Sequence, residues 1–429
     1  MVYIIFVSLY IPEDNMLILN IFNICLGIIF LLCYLYQVIY IFIAYAKKPP
    51  VLPEADPHKI AVIIAARNES AVIHNLLESL SKQDYPKDFY DIFLVADNCT
   101  DNTADIARDH GAIVYERFND KEKGKGYAVD YLIKSIWRDY GEIYEAFIVF
   151  DADNVVNHNY LTEMNKTFSL GYDVVTSYRN ASNYGASWRA AGQGMYFLRD
   201  SRVLNLARMR IGSNTFVAGT GFLFSHKIAK EYGGWPFHCL TEDGEFTMHN
   251  AVHGTKCGYC NSAMFYDEQA VKVKDSWNQQ LRWCKGGLQI FKKYLPQLIK
   301  GIFSKRIISC FDMTMCLTPA YVLSMTAVAV NTISFIILIA LGNNPVQLLV
   351  SMGWMLAFAY LGLVMFSFAV TVSEWKHLRA RAGKKILYIF TFPLFIFTFI
   401  PAAFVALFKK VEWKEIHHGG DEASAKNNT

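Results

Sequence analysis

Hydrophobic and polar positions divide the chain into three kinds of segment. Residues 17–46 carry no charged side chain and exceed the roughly 20 residues that a helix needs to cross a bilayer. Three more apolar blocks follow near residues 314–341, 346–372 and 385–408. Residues 49–286 have the composition of an ordinary soluble domain. The pattern therefore predicts a membrane anchor, a polar folded domain and a C-terminal membrane region.

Inside the polar domain, strand-like and helix-like patterns alternate. The runs "IAVIIAA", "YDIFLVAD" and "AFIVFDAD" are almost continuously apolar, as expected of strands buried on both faces. Helical patterns follow the first two runs, so we predict an α/β domain with a doubly wound, mainly parallel sheet. Ligands of such sheets bind at the carboxyl ends of the strands. Asn68, Asp97 and Asp151 end or follow predicted strands, so we expect them at one edge of the sheet.

Candidate ligand-binding residues lie in the polar turns. Asp151 and Asp153, two positions apart in "FDADN", suit Mg²⁺ or Mn²⁺ with a diphosphate as the remaining ligand. The alternative is a solvated pair of acids. Asp97 suits hydrogen bonds to a base or ribose, although Asp and Asn also cap helices. Lys125 stands among the glycines of "KEKGKGYA" and could reach a phosphate, but the GxxxxGK[ST] pattern of a Walker loop is absent.

A second acidic pair, Glu242 and Asp243, lies in "CLTEDGEF". Either carboxylate could act as a general base if it reaches the proton and has a suitable pKa. The alternative is a helix start, in which Thr241 caps the helix and the two acids occupy its first turn. Both roles can hold together.

Composition and charge narrow the function classes and the membrane orientation. The formal net charge is only +3, which argues against nucleic-acid binding. The nine cysteines are scattered and odd in number, as expected of reduced thiols. The basic "KKPP" after the first apolar segment and the basic residues 374–385 favour the cytosol. A full third C-terminal span would put residues 409–420 outside, against the same rule, so that block stays open as bent, re-entrant or interfacial.

An amphipathic stretch at residues 288–308 precedes the C-terminal blocks. Its apolar side chains share one helical face, which predicts an interfacial helix, kinked at Pro296. We therefore predict five parts: a membrane anchor (1–48), a cytosolic α/β domain (49–286), interfacial amphipathic helices (287–310), a C-terminal transmembrane region (311–409) and a polar tail (410–429).

The order of these motifs resembles that of the family 2 glycosyltransferases of the GT-A fold, which include hyaluronan, chitin, cellulose and poly-N-acetylglucosamine synthases. The likeness runs from Ile60 to Trp283 through "AARNE", "ADNCTDNT", "GKGYA", "DAD", "GTGF", "TED" and "QQLRW". It implies that residues 49–286 form a cytosolic GT-A domain. It also implies an inverting hexosyltransferase that depends on Mg²⁺ or Mn²⁺.

The resemblance assigns roles to individual residues. The nucleotide-sugar pocket comprises Ala65, Asn68, Glu69, Asp97, Lys125, Asp151, Gln279, Arg282 and Trp283. The metal ligands are Asp153 and Asp151. The catalytic groups are Asp243 as base, with Glu242 and Arg282. The acceptor lies on Gly219, Thr220, Gly221 and Trp283.

The "QQLRW" motif can be read in two ways. The planar fork of Arg282 suits a diphosphate, and Trp283 offers a flat face to a sugar. The alternative is an aromatic-rich helix at the bilayer surface, which leaves the upstream acids unexplained.

The implied reaction moves a sugar from a UDP-sugar, with UDP-GlcNAc or UDP-Glc favoured, to a hydroxyl of a growing β-linked polysaccharide that is then secreted. The alternative is a single addition to a lipid or lipid-linked acceptor. We expect an integral, multi-pass plasma-membrane protein in contact with membrane lipid, with no nucleic-acid partner; a homo-oligomer or an export partner is a further expectation. A transporter or scaffold with a degenerate transferase domain would be expected to have lost the DxD or TED acids.

Overall fold

The computed structural model describes residues 14–48, 51–340 and 345–412. The strands are β1 (Ile60–Ala66), β2 (Tyr90–Asp97), β3 (Ile113–Arg117), β4 (Ala146–Asp151), β5 (Val155–Val156), β6 (Val174–Ala181), β7 (Phe222–Ser225) and β8 (Cys257–Asp267). The helices of the polar domain are α2 (Ile73–Ser81), α3 (Thr103–Asp109), α4 (Lys125–Tyr140), α5 (Tyr160–Phe168), α6 (Trp188–Leu198), α7 (Leu206–Ile211), α8 (His226–Tyr232), α9 (Glu242–His253) and α10 (Val273–Ile302). A 3₁₀ turn spans Lys87–Phe89, and a π-helix, Arg199–Asn205, joins α6 to α7.

The eight strands form one sheet in the order β3-β2-β1-β4-β7-β6-β8-β5. Strands β3, β2, β1 and β4 are parallel, and the apolar side chains of β1 and β4 are buried on both faces, as their sequences predict. In the registers, Ala65 pairs with Asp151, and Asp97 pairs with Arg117. The predicted α/β class is confirmed, and so is the meeting of these strand ends at one edge.

The second half of the sheet is mixed. Strand β7 is antiparallel to both β4 and β6, β6 and β8 are parallel, and β5 is antiparallel to β8. Because β7 runs in the opposite direction to β4, the loop that precedes β7 reaches the edge at which β4 ends. The segment Gly219–Gly221 therefore lies beside Asp151.

Among the residues that the structure describes, four segments are long and apolar enough to cross a membrane, by length and composition. They are Ile18–Tyr45, Ile307–Ala340, Leu348–Ser373 and Ala382–Phe408. They belong to α1 (Asp14–Tyr45), α11 (Ile307–Ala340), α12 (Val346–Ser373) and the pair α13 (Ala382–Phe397) and α14 (Phe399–Phe408).

The fourth segment differs from the other three. It changes from α13 to α14 at Thr398, and 39% of its most apolar window is buried, against 17%, 6% and 17% for the others. Its residues pack on the polar domain: Phe395 meets the backbone of Gly192 in α6, and Ala402 lies against Leu281 in α10. The break at Thr398 lies in the C-terminal block that the sequence analysis leaves open as bent, re-entrant or interfacial.

Helix α10 continues from Val273 to Ile302, so the predicted boundary at 286/287 falls inside one helix. It also runs through Pro296, where a kink was predicted. Much of the apolar face expected to meet lipid packs instead on α9 and α11, through buried Leu298 among others. The domain limits remain predictions, and most of the polar tail, including residues 413–429, lies outside the described residues.

Candidate active site

Two turns at the carboxyl edge are locked to each other. Asn68 and Asn98, just after β1 and β2, have φ of +54° and +55°, the left-handed region that Asn tolerates better than most residues. The side-chain oxygen of Asn68 accepts a hydrogen bond from the Thr100 amide at 2.8 Å. The amide of Glu69 donates to the Thr103 hydroxyl at 2.9 Å. The first predicted nucleotide-binding turn is therefore braced by the second.

Asp97 is buried and ion-paired. Its Oδ1 lies 2.6 Å from Nη1 of Arg117, and both side chains are less than a tenth exposed. The Arg117 guanidinium also donates to the backbone carbonyl of Glu122 at 3.0 Å. The pair fixes the Asp97 carboxylate at the end of β2. Sequence reasoning missed Arg117, although a charged residue ending a third strand at the same edge was a usable signal.

The first acid of the DxD pair meets the predicted phosphate-binding lysine. Lys125, at the start of α4, contacts the carboxylate of Asp151, and its Nζ donates to the Gly219 carbonyl at 2.7 Å. The Thr220 hydroxyl accepts from the Asp151 amide at 2.9 Å and donates to the Asn154 side chain. The lysine and the GTG loop are thereby joined to the DxD turn.

The glycine-rich loop divides between the site and its support. Thr220 is 4% exposed, so it holds the DxD turn from beneath. Gly221, with φ +63°, leaves no room for a side chain, because a Cβ there would lie 2.1 Å from the Phe265 ring. Gly219 faces the predicted catalytic base: a Cβ on it would lie 3.5 Å from Oδ2 of Asp243.

The DxD acids can supply two oxygen ligands to a divalent cation. Asp151 keeps a side-chain exposure of 40%. Asp153 accepts a hydrogen bond from the Asn154 side chain at 3.0 Å and from the Glu268 amide at 3.3 Å. Within the described residues, no group of three or more His, Cys, Asp or Glu side chains could hold a metal alone. The donor set therefore suits a cation that takes its remaining ligands from a diphosphate and water.

The TED acids begin α9, with Glu242 buried and Asp243 half-buried, and cations lie around them. Burial raises the pKa of the Asp243 carboxyl, while the Gly244 amide and the cations Arg282, Lys125 and Arg179 oppose the rise. Burial also raises the pKa of Glu242, and the neighbouring Asp243 carboxylate adds to the shift. A carboxylate with a raised pKa is a stronger base, as general-base catalysis requires.

Arg179 is a second functional arginine that sequence reasoning missed. Its Nε lies 2.9 Å from the buried carboxylate of Asp267, and its guanidinium donates to the Ala218 carbonyl just before the GTG loop. The guanidinium also stands 3.4 Å from the centre of the Phe197 ring. Arg179 holds the loop at Ala218, and Lys125 holds it at the neighbouring Gly219. In "SYRNAS" nothing marks this arginine, because its partners are distant in sequence.

Close packing of α9 on α10 brings the TED and QxxRW motifs together. A Cβ on Gly286 would lie 2.3 Å from the Thr241 hydroxyl, so only glycine permits this approach. Arg282 donates to the Leu240 carbonyl at 3.0 Å. Glu245 accepts from two amides of the preceding loop, and Lys293 of α10 pairs with it. The loop before α9 is thus held from both helices.

The other two QxxRW side chains point to different partners. Gln279 accepts a hydrogen bond from the Gln193 side chain at 2.9 Å. The Trp283 ring lies nearly parallel to Tyr196 and to Phe399, with 6.1 Å between centroids and 14° between planes in both cases. Phe197 meets Trp283 edge-on at 5.5 Å. We call Tyr196, Trp283 and Phe399 the aromatic stack; it joins the site to α14.

A family model described as "Glycosyltransferase like family 2" matches residues 57–286, more than half of the chain. The chain therefore belongs to this glycosyltransferase family, and it is a hexosyltransferase with a GT-A domain. The matched residues include the carboxyl edge of the sheet, the TED acids and the QxxRW motif.

Two relatives and one solved structure are similar to this chain over most of its length. The beta-monoglucosyldiacylglycerol synthase of Synechocystis sp. is 24% identical over 373 residues, covering 84% of this chain and 75% of that protein. The poly-beta-1,6-N-acetyl-D-glucosamine synthase of Staphylococcus epidermidis is 24% identical over 286 residues, covering 64% and 67%. The mannosyltransferase PcManGT from Pyrobaculum calidifontis, in complex with GDP-Man and Mn²⁺, superposes with a TM-score of 0.59 at 16% identity, over 90% of this chain and 98% of that one. This last likeness concerns the fold alone.

Proposed function

We propose that the protein transfers one hexose from a UDP-sugar to a hydroxyl of a membrane lipid, with inversion at the anomeric carbon. The observation that carries the proposal is the position of Asp243. It lies beside Gly219 and within reach of the charges of Lys125 and Arg282. Trp283, next to Arg282, joins the aromatic stack that leads to α14. A base, cations for a leaving diphosphate and an apolar route thus adjoin one another.

The donor side is assigned to the carboxyl edge. Ala65, Asn68, Glu69 and Asp97 would surround the nucleotide, because they occupy the two braced turns after β1 and β2. Lys125, Gln279 and Arg282 would face the diphosphate and sugar. UDP is the expected nucleotide, with glucose or N-acetylglucosamine as the sugar.

Asp153 and Asp151 would hold Mg²⁺ or Mn²⁺, and both acids fit this role. When bound, the cation would neutralise charge that develops on the departing diphosphate. Arg282 can stabilise the same charge through its fork of N–H donors. Lys125, which contacts Asp151 and the Gly219 carbonyl, keeps a positive charge beside the acids.

The chemical step is a direct displacement. Asp243 takes the proton of the acceptor hydroxyl, whose oxygen forms a bond to the anomeric carbon. The bond from that carbon to the UDP oxygen breaks on the opposite face, and UDP leaves with the electron pair. An α-linked donor then gives a β-linked product. Glu242 is buried beside Asp243, and burial together with that carboxylate raises its pKa.

The surroundings of Trp283 favour a lipid acceptor. Tyr196, Phe197 and Phe399 surround its ring, and α14, which carries Phe399, belongs to a membrane-like segment. Acyl chains match the apolar surface of these rings. The synthase that is named for a glycolipid also covers more of this chain than the one named for a polymer, 84% against 64%.

A second candidate function is polysaccharide synthesis, the reaction that the sequence analysis favours. The QxxRW tryptophan and the relative that makes poly-N-acetylglucosamine favour it. In that case Gly219, Thr220, Gly221 and Trp283 would support the end of a growing chain. Secretion, a homo-oligomer or an export partner would belong to this candidate.

We further propose a multi-pass plasma-membrane protein with a cytosolic catalytic domain. The four candidate spans and the basic residues 47–48 and 374–385 support it. A nucleotide-sugar donor is a cytosolic metabolite class, so this orientation also supplies the substrate. We also propose the parts 1–48, 49–286, 287–310, 311–409 and 410–429, with helix α10 running across the limit at 286/287.

The test uses the purified full chain in detergent micelles with Mn²⁺ and UDP-glucose, UDP-N-acetylglucosamine or GDP-mannose. UDP release and product mass are followed with and without diacylglycerol. Lipid-dependent release with a one-hexose product supports the first candidate. Lipid-independent release with a ladder of oligosaccharides supports the second, and release of GDP alone would overturn the donor assignment.

A further inference from the structure

Arg199, Arg202 and Arg208, three of the four arginines between the end of α6 and the end of α7, lie near the N-terminal membrane helix α1. Arg202 lies 4.9 Å from the ring of Tyr45 at the end of α1. Arg208 and Tyr40 of α1 both donate hydrogen bonds to the carboxylate of Asp312.

Arg199 is the third arginine, and its charge acts on a tyrosine farther from the end of α1. Its guanidinium is within electrostatic range of Tyr34. Tyr34 precedes Tyr45 by eleven residues, which is about 16 Å along a helix at about 1.5 Å per residue.

The three arginines differ in their partners and in their exposure. Arg208 is 1% exposed and paired with Asp312 of α11. Arg202 is 12% exposed and paired with Glu374, just after α12. These two pairs tie the catalytic domain to membrane helices. Arg199 is 21% exposed and pairs only with its neighbour Asp200 among the described ion pairs, at 2.8 Å, so it ties no second element. An ionic pair beside helices of membrane-like composition is a candidate for function.

The Arg199–Asp200 pair adjoins the aromatic stack. The Arg199 guanidinium lies 4.7 Å from the centre of the Tyr196 ring, and Tyr196 is the first ring of the stack. Trp283, the next ring, is the QxxRW tryptophan and follows Arg282. The pair begins the π-helix, a widened turn that is frequent at functional sites. One ring therefore separates the pair from the predicted acceptor platform.

The chemistry of the pair selects a neutral polar group. Arg199 offers N–H donors, and Asp200 offers carboxylate oxygens that accept from a hydroxyl. A phosphate would gain from Arg199 but would be repelled by Asp200 at the same place. A glycerol backbone with ester carbonyls and a free hydroxyl can use both partners. The surrounding rings and membrane helices supply the apolar surface for its acyl chains.

We propose that the Arg199–Asp200 pair binds the uncharged glycerol and ester region of a hydroxyl-bearing glycerolipid and so positions it for transfer. The inference rests on the proposed function and adds the class of acceptor and the residues that recognise it. The pair acts on acceptor binding; Asp243 remains the base for the acceptor hydroxyl.

The experiment measures transfer kinetics of the full chain with diacylglycerol in phosphatidylcholine mixed micelles. Arg199→Gln should raise the KM for diacylglycerol about tenfold or more, as expected for one lost charge-assisted contact. The kcat at saturating diacylglycerol and the KM for the donor should stay close to those of the wild type. Arg199→Lys, which keeps the charge without the fork, should fall between. Asp200→Asn should also raise the KM for diacylglycerol.

Arg210→Gln is the matched control. Arg210 belongs to the same segment and donates to backbone carbonyls at the end of α1, including that of Lys47 at 2.7 Å, away from the stack. This variant should lower thermal stability without changing the acceptor KM.

Each outcome decides the matter. If wild-type protein glycosylates diacylglycerol and Arg199→Gln keeps its acceptor KM, the site assignment is wrong and the proposed function stands. If Arg199→Gln and Arg210→Gln both lose kcat and stability with no selective rise in KM, the pair is structural and the inference fails. A preference for a polyprenyl phosphate that Asp200→Asn strengthens would overturn the neutral acceptor class. If wild-type protein makes only polymer, the lipid function and the inference fall together.

Discussion

At the scale of the residue, the site depends on which charges meet the TED acids. The "TED" pattern predicted a helix that starts with two acids behind a Thr241 cap; α9 begins at Glu242, but the Thr241 side chain makes no cap hydrogen bond. The sequence did not predict that Lys125 would contact Asp151 or that Arg117 would pair with Asp97. These partners lie 26 and 20 residues apart and meet only because parallel strands end at one edge. Local patterns carry no direct record of such pairings.

Replacing Asp243 with Asn should abolish transfer. The amide cannot take the acceptor proton, so we expect kcat to fall by at least about a thousandfold. Nucleotide binding should remain, since the two turns after β1 and β2 are untouched. Radiometric transfer and UDP titration by calorimetry check the two halves of the prediction. Substantial activity in Asp243→Asn would sink the assignment of the base.

Glu242 should make stability depend on pH. Its pKa is raised from about 4.5 to about 7, mainly by burial and next by Asp243. The folded state therefore favours the protonated carboxyl, and the resulting stability is complete below about pH 4.5 and is lost as pH rises through about 7.

Melting temperatures of wild type and Glu242→Gln between pH 5 and 8 test this. The wild type should lose stability relative to the variant as pH rises. Parallel curves for the two proteins would contradict the shift.

At the scale of the element, the site depends on two helices that approach closely. Helix α10 carries QxxRW and α9 carries TED, and Gly286 allows their contact at Thr241. The sequence predicted an amphipathic helix at residues 288–308 and a domain limit at 286/287. It did so because the composition changes there, whereas the helix continues to Ile302 and packs on both α9 and α11. Tertiary packing on α9 and α11, which the sequence pattern does not show, explains why the helix is continuous.

Gly286→Ala should reduce transfer by about tenfold or more. The new methyl group would meet the Thr241 side chain, with its Cβ 2.3 Å from Oγ1, and would displace the start of α9. Gly362→Ala is the control, because a Cβ on this glycine of α12 meets nothing within 4 Å. The comparison is made on kcat/KM of both purified variants. Equal activities in the two would show that the close approach is not needed for catalysis.

At the scale of the whole molecule, buried charges join the catalytic domain to the membrane helices. Arg208 and Asp312 are 1% and 0% exposed, and Tyr40 and Ser213 also donate to Asp312. The carboxylate of Glu374, at the end of α12, accepts a hydrogen bond from the Tyr178 hydroxyl and forms an ion pair with Arg202. Hydropathy predicted the membrane segments but not this junction. An aspartate inside an apolar segment indicates that a buried partner exists, but the sequence does not show which residue that partner is.

Arg208→Met should destabilise the protein by about 3–5 kcal/mol, because it leaves Asp312 buried without its counter-charge. Adding Asp312→Leu should restore much of the loss, since an apolar pair of similar volume carries no desolvation penalty. Lys230→Met, which breaks an exposed pair with Glu142, should cost less than about 1 kcal/mol. Denaturation in detergent, followed by tryptophan fluorescence, compares the four proteins. A single Arg208→Met variant as stable as wild type would refute the role of the junction.

The most direct test of lipid glycosylation is mass spectrometry of products from wild-type protein given UDP-glucose or UDP-N-acetylglucosamine, Mn²⁺ and diacylglycerol, with UDP release recorded in parallel. We expect UDP release to require the lipid and one hexose to be added per lipid molecule. Equal UDP release without lipid, accompanied by oligosaccharides of increasing length, would contradict a lipid acceptor and establish a polysaccharide synthase.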